Sequence, residues 1–185
     1  MKKLAFLAIL ASAAMAAGAT EVLVTGERDT TQGGISGYSV AVAQPITAVK
    51  GLTVKGQFET ISVANDRSTE KYEVRALYDV SKVGPVTITG IVGLGHAEYQ
   101  AADVRGTYAV VGAQLSVPVS YVAGLSANVA LTQSFGATEI RVFDRAEATI
   151  GVSYALTKSV AVNASATYYD NVPGNNLALG VSYKF

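Results

Sequence analysis

The chain has 185 residues, half of them hydrophobic and only 15% charged, with 18 Gly, 10 Tyr, no Cys and no Trp. That length fits one domain, a formal charge of zero lacks the clustered Lys and Arg of a nucleic-acid binder, and the missing Cys excludes disulfide scaffolds and thiolate metal sites. Beyond the first twenty residues no apolar run reaches the ~20 residues of a membrane-spanning helix, so the hydrophobicity must sit in another kind of element.

The N-terminus opens on Met1-Lys2-Lys3, continues with an apolar stretch over 4–11, and decays into Ala14-Met15-Ala16 and Ala17-Gly18-Ala19. A cationic start, a short apolar middle and an A-x-A site predict a cleaved secretory signal peptide over 1–19, with Ala16 as the other possible cleavage point. The remaining domain, 20–185, then folds outside the cytoplasm.

Period-two alternation of apolar and small polar residues recurs through that domain and predicts strands. Ten candidates follow in order: 21–28, 35–46, 52–63, 71–81, 86–99, 107–119, 125–135, 145–156, 160–170 and 176–185. The first rests only on Val22 and Val24 before Gly26, and losing it would favour eight strands. Tyr72, Val74, Ala76, Tyr78 and Val80 alternate with Glu73, Arg75, Leu77 and Asp79, and Leu177, Leu179, Val181, Tyr183 and Phe185 alternate with Ala178, Gly180, Ser182 and Lys184. Most candidates have the 9–11 residues, roughly, of a tilted strand that crosses a bilayer.

The connections take turns in length. Those at 47–51, 82–85, 120–124 and 157–159 are short, whereas those at 29–34, 64–70, 100–106 and 136–144 are longer and more polar, with 171–175 intermediate. Short turns on one rim and longer loops on the other predict an all-β, transmembrane, antiparallel up-and-down β-barrel with both termini on the short-turn rim. Tyr38, Tyr72, Phe135 and Tyr168 fall near the loop ends of strands, and Tyr78, Tyr154 and Tyr183 near the turn ends, as interfacial aromatic girdles would. A soluble ligand-carrying barrel would share the alternation but turn its apolar face inward.

Tyr154-Ala155-Leu156-Thr157-Lys158-Ser159-Val160, leading to Tyr168-Tyr169 and the terminal Leu179-Gly180-Val181-Ser182-Tyr183-Lys184-Phe185, resembles the last hairpin and closing strand of Gram-negative porins. The resemblance covers about the last thirty residues. It implies an outer-membrane location among lipid and lipopolysaccharide, and implies that Tyr183 and Phe185 serve as a signal for the barrel-assembly machinery. General porins have about sixteen strands, more than this chain can build. Glu21-Val22-Leu23-Val24-Thr25-Gly26 resembles the energy-coupling segment of TonB-dependent receptors, but those barrels are far larger, and the segment reads as an ordinary first strand.

With the polar parity inward, the lumen receives Lys55, Glu59, Glu73, Arg75, Asp79, Arg145 and Glu147. Centring the third hairpin on Asp66 sets Glu59 opposite Glu73 and Gln57 opposite Arg75, so that Arg75 reaches both carboxylates diagonally. Such a cluster is first a charge-compensated filling of the barrel and second a constriction that sorts solutes. Gly93, Gly95, Gly112, Gly151 and Gly180 on the same parity leave room beside it. The expected function is a narrow porin-like passage for small hydrophilic solutes, and the alternative is a non-conducting envelope or surface-interaction barrel with a blocked lumen. A lipid-modifying or proteolytic barrel enzyme comes third, because the single histidine, His96, has only Glu98 nearby and no nucleophile motif. No cofactor or metal motif is present, and the sequence names no solute and no oligomeric state.

Overall fold

A computed structural model of the chain describes residues 21–29, 36–63, 67–99, 104–136, 144–170 and 175–185. The leader expected over 1–19 and the centres of the five longer connections lie outside the described residues.

The described residues form ten strands: β1 (Glu21–Asp29), β2 (Ser36–Pro45), β3 (Leu52–Val63), β4 (Arg67–Val83), β5 (Val86–Tyr99), β6 (Val104–Pro118), β7 (Leu125–Gly136), β8 (Arg145–Ala155), β9 (Val160–Tyr169) and β10 (Asn175–Lys184). Each pairs antiparallel with its neighbours in sequence, and β1 pairs with β10 to close an up-and-down barrel. Closure matters because it gives every strand two partners and leaves no edge with unpaired backbone groups. The first strand, expected only on Val22 and Val24, is paired on both sides like every other: Val22 lies opposite Val42 on one side and Tyr183 on the other.

Alternation sets the two faces of the wall. Leu179 is 64% exposed on the outside, whereas its neighbour Ser182 is 2% exposed and Ser165 lines the lumen. Val74, Val92, Leu94, Leu131 and Ile150 join Leu179 in an exposed apolar band around the barrel. Tyr38, Phe135 and Tyr168 flank that band at the loop end, and Tyr78, Tyr154 and Tyr183 flank it at the turn end. Phe58 departs from the pattern. It belongs to the outer parity yet is buried, with the rings of Tyr38 and Tyr72 at 6.3 and 5.0 Å from its own.

β4 is longer than its alternation suggested, 17 residues instead of the expected span 71–81. Two causes act at its ends. At one end Arg67 to Glu70, expected in a loop, pair as strand with Val63 to Thr60. At the other, Gly84 (φ 59) followed by Pro85 makes a two-residue turn of the type II′ pattern between Val83 and Val86, after a bulge between Asp79 and Ser81.

Two of the short turns are copies of one design. Pro45-Ile46-Thr47-Ala48-Val49-Lys50-Gly51-Leu52 and Pro118-Val119-Ser120-Tyr121-Val122-Ala123-Gly124-Leu125 share Pro, Val, Gly and Leu at equal spacing. Their backbone bonds match: Ile46 N–H donates to Leu52 (2.8 Å) as Val119 N–H donates to Leu125 (2.8 Å), and Val49 and Val122 N–H donate to Ile46 and Val119 (3.0 and 3.1 Å). Gly51 and Gly124 adopt φ 83 and 82, a conformation that only Gly enters without strain. The repeat is visible in the sequence to a reader who aligns the two turns, and it shows that β2–β3 and β6–β7 are equivalent hairpins.

Candidate functional site in the barrel lumen

The inward parity of β3 and β4 places charged side chains on adjacent strands, and the register decides which of them meet. Glu59 lies opposite Lys71, Gln57 opposite Glu73, and Lys55 opposite Arg75. The pairing expected from a hairpin centred on Asp66 is thus displaced by two residues along β4. Such a shift keeps every side chain on its face, but it exchanges a like-charged pair, Glu59 with Glu73, for an opposite-charged one. Lys71, which is not among the expected cluster residues, shares the parity of Glu73 and Arg75.

Lys71 is the hub. Its Nζ lies 3.6 Å from Glu73, 4.0 Å from Glu59 and 4.0 Å from Glu147. Glu147 stands on β8, four strands away around the wall, so the network crosses the lumen. Arg145 Nη2 pairs with Glu147 at 2.6 Å, the Arg75 guanidinium pairs with Glu73 through Nε, and Thr132 Oγ1 donates to Glu147 at 3.5 Å. The six charged side chains, three acidic and three basic, are between 2 and 18% exposed. Equal numbers of the two signs let them be withdrawn from bulk water together, whereas any one alone would carry a large desolvation cost.

Aromatic rings frame this crossbar. Tyr108, which the sequence reading did not assign, points inward from β6 and donates from its hydroxyl to Glu73 Oε2 at 3.0 Å. It lies flat against the wall because its cross-strand partner is Gly95, where an added Cβ would run into the Tyr108 ring. The Lys71 ammonium sits 5.9 Å from the Tyr108 ring centre, and the Arg145 guanidinium sits 4.7 Å from that of Tyr169. The inward glycines do leave space, and neighbours occupy it: Arg75 leans on Gly93, Thr132 on Gly112, Asn128 on Gly151 and Thr25 on Gly180. Side chains that lie along the wall in this way protrude less into the lumen.

Two predicted lumen residues stand apart from the crossbar. Asp79, roughly 13 Å along β4 from Arg75 at ~3.3 Å per residue, is exposed beside the short-turn rim, where Thr89 Oγ1 donates to it at 2.8 Å. Lys55 faces the lumen but forms no ion pair with a described residue. At the outer surface, Tyr183 and Phe185 are both exposed and their rings meet edge to face with centres 4.8 Å apart. His96 has the outward parity of β5, opposite Tyr72 and Thr107. Among the described residues no group of three His, Asp or Glu side chains is arranged to hold a metal ion.

A cavity of about 300 Å³ runs past the crossbar. Glu59, Lys71 and Arg75 line one side of it from β3 and β4, and Glu147 reaches it from β8. The other side is a wall of hydroxyls, amides and small residues from β7 to β10 and β1, including Asn128, Thr149, Asn163, Ser165, Thr167 and Asn176. The cavity therefore reaches from the loop half of the lumen, at Tyr169 and Asn176, to the turn half, at Lys55 and Asn128.

No protein-family model and no curated protein sequence matches the chain. Solved structures do. An outer membrane channel from Pseudomonas putida F1 aligns over 91% of this chain and 96% of its own, with a TM-score of 0.59 and 10% identity. A KdgM porin aligns over 89% of this chain and 99% of its own (TM-score 0.53, 9% identity), and the β-domain of the Bordetella autotransporter Brka over 91% and 100% (0.52, 13%). Identities this low speak for fold alone, and the fold is that of small porin-like outer-membrane barrels.

Proposed function

We propose that the chain resides in the outer membrane of a Gram-negative envelope as a narrow, porin-like channel for passive passage of small hydrophilic solutes. The exposed apolar band between two aromatic belts supports the location, since a surface of that extent is stable against hydrocarbon and a liability in water. The reading as a channel is carried by one observation: a polar-walled cavity continues alongside the crossbar from one half of the lumen to the other. Solutes would pass between the neutral crossbar and the hydroxyl and amide wall, so size would be selected by the gap left beside Lys71. The solved channel and porin of the same fold add support at the level of architecture.

A second reading is favoured by the crossbar itself. Ion pairs that meet from opposite walls can close a barrel of this size, leaving a non-conducting protein whose role lies in the envelope or at its loops. Reconstitution in a planar bilayer separates the two. Discrete conductance steps are expected from the intact barrel, and Lys71→Ala, which removes the hub, is expected to raise the unit conductance at least about twofold by widening the constriction. Silence from both the native barrel and Lys71→Ala would establish the blocked barrel instead.

A further inference from the structure

The three acids and three bases of the crossbar pair with one another, which leaves Lys55 outside its ion pairs. It lies directly opposite Arg75 on the same inner face, with Ala43 as its partner on the other side. Two like charges in register on one face repel unless something anionic stands near both. Glu73 pairs with Arg75 through Nε and with Lys71, and makes no ion pair with Lys55. No described residue accepts a hydrogen bond or ion pair from Lys55, yet no buried side-chain nitrogen or oxygen among the described residues lacks a partner. The Lys55 ammonium therefore faces the lumen cavity.

Neutral amides line the same cavity. Gln57 lies next to Lys55 on the inner face of β3, and Gln114 and Asn128 line the same cavity from β6 and β7. The acids that could compete are otherwise engaged: Glu27 accepts from Asn176 (2.8 Å) and Thr25, Glu59 and Glu147 hold Lys71, and Glu21 pairs with Lys184 at 3.8 Å. Asp79 is at the rim with Thr89.

We propose that Lys55 and Arg75 form an anion-binding subsite inside the lumen, on the short-turn side of the crossbar, that takes a small carboxylate. The ammonium supplies a charge-assisted hydrogen bond, the outer edge of the guanidinium a second, and the side-chain amides complete the shell. The inference deepens the channel reading and rests on the same lumen, since it makes small organic anions the favoured solutes.

Acetate is the probe, titrated into the isotopically labelled barrel refolded in detergent micelles, with chloride exchanged to hold ionic strength constant. Saturable shifts are expected at the side-chain amides of Gln57, Gln114 and Asn128, and Lys55→Gln is expected to weaken acetate binding about tenfold. Retained strand signal in circular dichroism shows that the variant has folded, and Arg75→Lys gives an intermediate affinity if the fork contributes as described. Shifts that are absent, equal with chloride alone, or unchanged in Lys55→Gln overturn the subsite. Bilayer recordings separate this from the channel reading: conduction without acetate binding removes the subsite alone, and acetate binding in a silent barrel removes the channel and keeps the subsite.

Discussion

The two walls of the lumen obey the same alternation and do different work. On β4 to β6 part of the inward face packs: Ala97, Tyr108 and Val110 form a buried cluster, and Glu73 is sealed beside the Tyr108 hydroxyl. From β7 through β10 the inward side chains, apart from Arg145, Glu147, Tyr169 and Lys184 at the rim, are Asn, Ser, Thr, Ala and Gly, and a cavity runs along them. The difference teaches that a barrel this narrow can hold a small core and a polar cavity side by side. Large side chains concentrated on one arc stabilise the cylinder, and small ones on the other leave it unfilled.

That contrast can be broken most severely on the packed wall. Glu73→Gln removes the acid shared by Lys71, Arg75 and Tyr108, and the uncompensated cations should lower stability by about 3 kcal/mol, read from urea unfolding in lipid vesicles. Tyr108→Phe keeps the ring on Gly95 and deletes only the hydroxyl donated to Glu73, so a smaller loss of about 1.5 kcal/mol is expected in the same assay. The polar wall should respond in the opposite sense. Ser165→Leu places bulk in the cavity with nothing to displace, and it should change stability by less than ~0.5 kcal/mol while clearly reducing single-channel conductance. A large stability loss from Ser165→Leu, or none from Glu73→Gln, would erase the distinction between the walls.

Much of this was legible residue by residue. Leu179 and Ser182 announced their faces through parity alone, and the ten strands closed because short and long connections alternate. Lys55, Glu59, Glu73, Arg75, Arg145 and Glu147 were placed inward on the same ground, and the structure brings five of them together while leaving Lys55 in open lumen. Lys71 and Tyr108 lie within expected strands on the inward parity, but only the register and the curvature of the wall bring the ammonium to Glu147 and the hydroxyl to Glu73.

Sequence by itself determined period, face and strand number, since each follows from local chemistry repeated every second residue. Tertiary structure alone decided that Lys71 on β4 meets Glu147 on β8, and that Lys55 rather than Gln57 faces Arg75. The first contact exists only because the sheet curves into a cylinder, and the second because a one-residue change in where a hairpin turns moves every partner by two without changing a single face.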